Sequence, residues 1–142
     1  MTPQLAKTMA LSAGLLACLA LEGGVPTASA QDNLYGCACF HNKTGTNINY
    51  RYKWGDAEWK RVSLPAGYEQ TLCWRYAQGS HSSPDLLFEL DVDMSKGSAW
   101  TKYDIKRLQS PQNSCSAVGH EAQYDIDYRP NTDRGFIHVT HR

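Results

Sequence analysis

After residue 30 the chain alternates between apolar and polar positions. Ile48, Tyr50, Tyr52 and Trp54 fall on one parity, and Asn49, Arg51 and Lys53 on the other. A period of two marks a strand with one face on a core and one in water. The pattern returns at Leu72, Trp74 and Tyr76 against Thr71, Cys73 and Arg75. It returns again at Leu86, Phe88, Leu90 and Val92 against Leu87, Glu89, Asp91 and Asp93. His120, Ala122, Tyr124, Ile126 and Tyr128 alternate with Glu121, Gln123, Asp125 and Asp127, and Tyr103 and Ile105 point inward from a strand over 100–108. With strands at 35–41, 58–64 and 136–140, eight are expected. The punctuation between them is turn chemistry: Asn42-Lys43-Thr44-Gly45, Gly55-Asp56-Ala57, Pro65-Ala66-Gly67 and Met94 to Ser98, with polar loops over 77–85 and 109–116. No helical period of useful length follows residue 30. The expected fold is an all-β antiparallel sandwich, immunoglobulin-like in architecture.

The first thirty residues follow a different logic. Lys7 precedes an apolar run from Met9 to Leu21, too short for a stable bilayer span, and Ala28-Ser29-Ala30 supplies small residues for cleavage. Residues 1–30 therefore read as a secretory signal peptide, and 31–142 as a single domain. A rival reading takes Leu15-Leu16-Ala17-Cys18 as a lipobox, which would anchor the protein through a lipid on Cys18. The apolar run continuing past Cys18 argues against it. Lys7 and Glu22 are the leader's charges, so its removal leaves the overall balance of 14 basic and 14 acidic residues even. A neutral domain offers nucleic acid no general attraction.

Five cysteines occur, and Cys37, Cys39, Cys73 and Cys115 survive removal of the leader. An even number in a small exported chain predicts disulfides. Cys37 and Cys39 point the same way from one strand and are too far apart to bond each other comfortably. Each therefore pairs with Cys73 or Cys115, in either of two arrangements.

Several constellations carry possible chemistry. Cys37, Cys39 and His41 share one strand face, and reduced thiols with an imidazole would suit Cu(I) or Zn(II). Two disulfides would consume those thiols, so no metal is the first reading and Cys37, Cys39 and His41 the alternative set. Glu89, Asp91 and Asp93, with Asp125 and Asp127, could hold Ca(II) if their strands were neighbours. The competing reading is a solvated outer face paired with Lys102, Lys106 and Arg107. Ser80-His81-Ser82-Ser83 and Gly119-His120-Glu121 lack the context of a nucleophile elbow, so no catalytic residue is assigned and the protein is read as no enzyme. Trp59 shares parity with Arg61 and Ser63, opposite Val62 and Leu64, and is expected at the surface. Trp59, Arg61 and His81 are the binding candidates, with no cofactor.

The Asn42-Lys43-Thr44-Gly45 turn, the Tyr50/Tyr52/Trp54 strand, the Trp54-Gly55 and Trp59-Lys60 hairpin and the Leu64-Pro65-Ala66-Gly67 turn resemble small exported bacterial β-sandwich domains of unassigned function. A distant likeness over about residues 39–76 extends to aegerolysin-like sandwiches, which implies a membrane-active module as a second expectation. The four cysteines form no part of that pattern, and no functional residue carries over. The leading expectation is an exported binding domain, periplasmic or secreted, for a protein or cell-envelope component.

Overall fold

The computed structural model describes residues 32–132 and 135–142; the leader and Cys18 lie outside the described residues. Two sheets pack face to face. One has the order β4-β1-β8-β9, made by Glu69–Arg75, Tyr35–Asn42, Gln123–Tyr128 and Ile137–His141, with the short β7 (Leu108–Ser110) also pairing with β1. The other has the order β3-β2-β5-β6, made by Lys60–Leu64, Ile48–Trp54, Leu86–Asp91 and Trp100–Tyr103. The expected all-β sandwich with two disulfides is what the chain forms. Neighbours are antiparallel except β1 and β8, which run parallel with Cys39 beside Gln123 and Phe40 beside Tyr124. No described helix is long and apolar enough to cross a membrane.

Parity places the core. Ala38 and Phe40 of β1, Ile48 and Tyr50 of β2, Phe88 and Leu90 of β5, and Ile126 of β8 are fully buried between the sheets. Phe40 lies at the centre, its ring 4.4 Å from Phe88 and 5.6 Å from Tyr124. Aromatic pairs at such separations add to the area each ring buries. The Tyr50 hydroxyl is the exception: it is buried and has no hydrogen-bond partner among the described residues.

The opposite parity of β1 builds a second, smaller core. Cys37 and Cys39 face away from Phe40 and are covered by the segment that follows β7, through Cys115, Val118 and Ala122. That segment contains two single-turn 3₁₀ helices, Cys115–Ala117 and His120–Ala122. Residues 120–122, expected to open a strand, are thus helical. Cys37 bonds Cys73 directly across the β1/β4 ladder, and Cys39 bonds Cys115, fixing the covering segment to the sheet. The pairing left open by the sequence is resolved.

The strand expected over 100–108 is two strands in different sheets. β6 pairs with β5, whereas β7 pairs with β1. Between them the chain crosses the sandwich, held where the Lys106 N–H donates to the Tyr124 hydroxyl at 2.7 Å. Tyr103 and Ile105 keep their inward alternation because both sheets face the same core.

Two turns are built by buried polar groups. Asn42 donates its amide to the carbonyls of Thr46 (2.8 Å) and Leu64 (3.0 Å), while its Oδ1 accepts from Thr44 N and Oγ1. The glycosylation-like Asn42-Lys43-Thr44 triplet is therefore a structural turn with its amide nitrogen sealed inside. Gly67 closes the next turn at φ +76°, a left-handed conformation that suits glycine.

Candidate functional site

The outward face of the β3-β2-β5-β6 sheet brings two of the three predicted binding residues together. Register aligns Arg61, Arg51, Glu89 and Lys102 in one row across four strands. Arg51 donates from Nε to Glu89 Oε2 at 2.6 Å, and Nη2 lies 2.5 Å from the same oxygen. Its guanidinium also lies between two indoles, 4.8 Å from the Trp59 ring and 4.7 Å from that of Trp100. Lys53 approaches Trp59 at 5.3 Å, and Arg61 approaches Trp100 at 5.7 Å. Cation–π contacts of this kind contribute about 0.5–2 kcal/mol each.

Trp59, expected at the surface, is half-buried by this packing. Arg61 is exposed and lies directly opposite Arg51, a like-charge pair that ordinarily destabilises a ladder. Among the described residues no carboxylate forms an ion pair with Arg61 or Lys53.

Beside this row runs a groove of about 390 Å³, bordered by Asn49, Arg61, Ser63, Asp91, Ser98 and Trp100. Asp91 was expected on a solvated face with Glu89 and Asp93, but Asp91 and Asp93 are both buried. The reason is the turn after β5, which folds back onto them. Asp91 accepts the backbone N–H groups of Ser98 and Ala99, each at 2.9 Å. Asp93 accepts from Ser95 N at 3.1 Å and from Ser95 Oγ at 2.5 Å; the Ser95 hydroxyl holds its carboxyl below the ordinary carboxylate range. Ser98 sits at φ +55°, an uncommon conformation for a residue with a side chain, and the Asp91 bond holds it there.

The remaining acids do not converge on a cation site. Asp125 and Asp127 belong to β8, in the other sheet from Glu89, Asp91 and Asp93. Glu89 pairs with Arg51 although Lys102 is its ladder neighbour; Lys106 pairs with Glu121, and Arg107 lies 3.7 Å from Asp85.

His81 lies elsewhere. It sits in the loop after β4, packs edge-on to Tyr76 at 5.9 Å, and borders a separate pocket with Asp32, Leu34 and Arg75. It shares nothing with the Trp59–Arg61 face.

The alternative metal set is rearranged. Cys37 is bonded to Cys73 and contributes no ligand, whereas Cys39 and His41 come together with Glu69 and Cys115, their ligand atoms within 4.8 Å of one another. The disulfide between Cys39 and Cys115 removes both thiolates that a soft metal would need. His41, Glu69 and Cys115 of this cluster border a third open pocket, of about 430 Å³, with Ser116, His120, Gln123 and Arg142. Glu69, Gln123 and Arg142 escaped the sequence reading because register brings them together: Glu69 stands opposite His41 in the β1/β4 ladder, Gln123 beside Cys39 in the parallel β1/β8 pairing, and the Arg142 N–H donates to the Gln123 carbonyl.

No family model, no curated protein and no solved structure matches the chain.

Proposed function

We propose that this is an exported binding domain, periplasmic or secreted, whose groove takes an acidic carbohydrate of the cell envelope without chemistry at that groove. The groove beside Trp100 is its seat. The observation that carries the reading is Arg61: an exposed guanidinium set opposite another arginine, with no carboxylate partner among the described residues. Arg51 has its charge answered by Glu89 and its guanidinium against two indole rings, so it is already engaged within the sheet. Arg61 is left to pair with an anion from outside, and a planar guanidinium suits a carboxylate or phosphate.

The groove's other groups match a sugar. Trp100 offers an indole, and Ser63 and Asn49 offer hydroxyl and amide groups at its border. A volume of about 390 Å³ lies within the range of small-ligand sites. The two disulfides fit an oxidising compartment outside the cytoplasm.

The test is an array carrying acidic and neutral glycans, probed with the mature protein and with Arg61→Ala and Trp100→Ala. Retention is expected on acidic glycans only, falling at least tenfold for either variant and falling with added salt. Retention of no acidic glycan, or equal retention by Arg61→Ala at unchanged thermal stability, overturns the reading.

A further inference from the structure

The two disulfides are chemically unlike. The polar neighbour of Cys37 Sγ is the Gln112 carbonyl oxygen at 4.0 Å, an acceptor that offers nothing to a developing thiolate. Cys39 Sγ instead has His41 Nε2 at 3.4 Å, and Cys115 Sγ receives the Thr71 hydroxyl at 3.1 Å. Each sulfur of the second bridge thus faces a side chain able to donate a hydrogen.

The ring is aimed from several sides. Gln123 donates its amide to the carbonyls of Cys115 (2.8 Å) and Val118 (2.9 Å), which turns its Oε1 toward His41 Nε2 at 2.6 Å. That orientation places the hydrogen on Nε2, the nitrogen beside Cys39. On the other side, Glu69 Oε2 lies 3.2 Å from Nδ1. Arg142 Nη1 stands 3.1 Å from Nε2, which with Nε2 protonated is a contact and adds positive charge beside the sulfur. Cys115 borders the open pocket, while Cys39 is fully buried beneath it.

We propose that the Cys39–Cys115 bridge is a thiol-exchange site that oxidises a dithiol entering this pocket, with Cys115 as the sulfur attacked. A substrate thiolate bonds to Cys115 Sγ, and the bridge breaks with its electron pair passing to Cys39 Sγ. The His41 Nε2–H, shared with Gln123 Oε1, stabilises that thiolate, and the proton released by the entering thiol reaches Cys39 through solvent. The second substrate thiol then attacks the substrate sulfur of the mixed disulfide, and Cys115 leaves beside the Thr71 hydroxyl. The dithiol loses two electrons and two protons, and Cys39 and Cys115 end as thiols. A stable leaving thiolate speeds exchange, and a neighbouring cationic or donating group provides that stability. Cys73 is only half-buried, so simple exposure would favour opening of the other bridge, and the two accounts predict opposite orders.

The experiment exposes the oxidised mature protein to dithiothreitol or to reduced, unfolded ribonuclease at equal thiol concentration. Timed alkylation and peptide mass mapping then report which cysteines have opened. Cys39 and Cys115 are expected to label at least tenfold faster than Cys37 and Cys73, and glutathione is expected to form its adduct on Cys115. His41→Gln should slow opening of this bridge at least tenfold and leave the Cys37–Cys73 rate unchanged, which also reports that the fold is intact. Faster reaction with the small dithiol assigns small-molecule substrates, and faster reaction with ribonuclease assigns polypeptides. Opening of Cys37–Cys73 first, equal rates for the two bridges, an adduct on Cys39, or no effect of His41→Gln overturns the proposal.

Discussion

The two sheets are stabilised on their outer faces by different means. The β4-β1-β8-β9 sheet is pinned covalently: both bridges start from β1, and the second holds a covering segment with its own small core. The β3-β2-β5-β6 sheet contains no cysteine, and its outer face carries the Arg51 stack between Trp59 and Trp100. A covalent cap buries one face and commits it to structure, apart from the pocket at its edge. A stacked, uncapped face keeps its groups in reach of solvent. The contrast fits the proposed binding groove, which lies on the uncapped sheet.

Mutations can separate the contributions. Phe40→Ala strikes the ring layer both sheets share, and its loss should cost about 3–5 kcal/mol in urea unfolding. Replacing Cys39 and Cys115 together by alanine should cost roughly 2–4 kcal/mol, since it reopens a loop spanning 76 residues of sequence. The same variant should become cleavable by protease within residues 111–119, while the other sheet keeps its amide-exchange protection. Arg51→Ala is expected to lose about 1–2 kcal/mol, because two indoles and Glu89 lose one shared partner. Arg61→Ala should leave stability within about 0.5 kcal/mol of wild type, since the change also removes a like-charge pair. If Arg61→Ala proved as damaging as Arg51→Ala, Arg61 would be a structural residue and the groove would lose its anion-binding group. Tyr50→Phe removes a buried hydroxyl without a described partner, and thermal unfolding should show no change or a gain of up to about 1 kcal/mol.

Acid should test the turn after β5. Asp93 titrates below its unfolded value because Ser95 donates to it, so its contribution is complete above the ordinary carboxylate range. It is lost as pH falls through the lowered folded value. Asp93→Asn should flatten that part of the acid stability profile.

Much of the fold was legible because parity is local. Ile48, Tyr50 and Trp54 are buried as their alternation requires, as are Leu86, Phe88 and Leu90. Even Cys37, Cys39 and His41 share a strand face, as their spacing demands. What the pattern could not carry was anything set by partners distant in sequence. Alternation continued from Tyr103 through Ile105, yet the chain had changed sheets, because a buried residue looks the same from either side of a core. Asp91 and Asp93 held outward parity and were still buried, since a returning turn covered them. The Trp59–Arg61 face was half visible: those two residues were named, but Arg51 and Trp100 join them only through register. His81 lies outside that register, in the loop after β4 beside Tyr76.

The position of β1 has a kinetic consequence. This strand is the first of the domain to emerge during synthesis, yet β8, its parallel neighbour, lies near the far end of the chain. Closing that long span forms the least local contact in the sheet, and such topologies fold slowly. Cys37 and Cys39 must therefore wait with one proper mate, Cys73, already present and the other, Cys115, still to come. Cys39 can be captured by the wrong partner in that interval, so efficient maturation calls for reshuffling of bonds outside the cytoplasm.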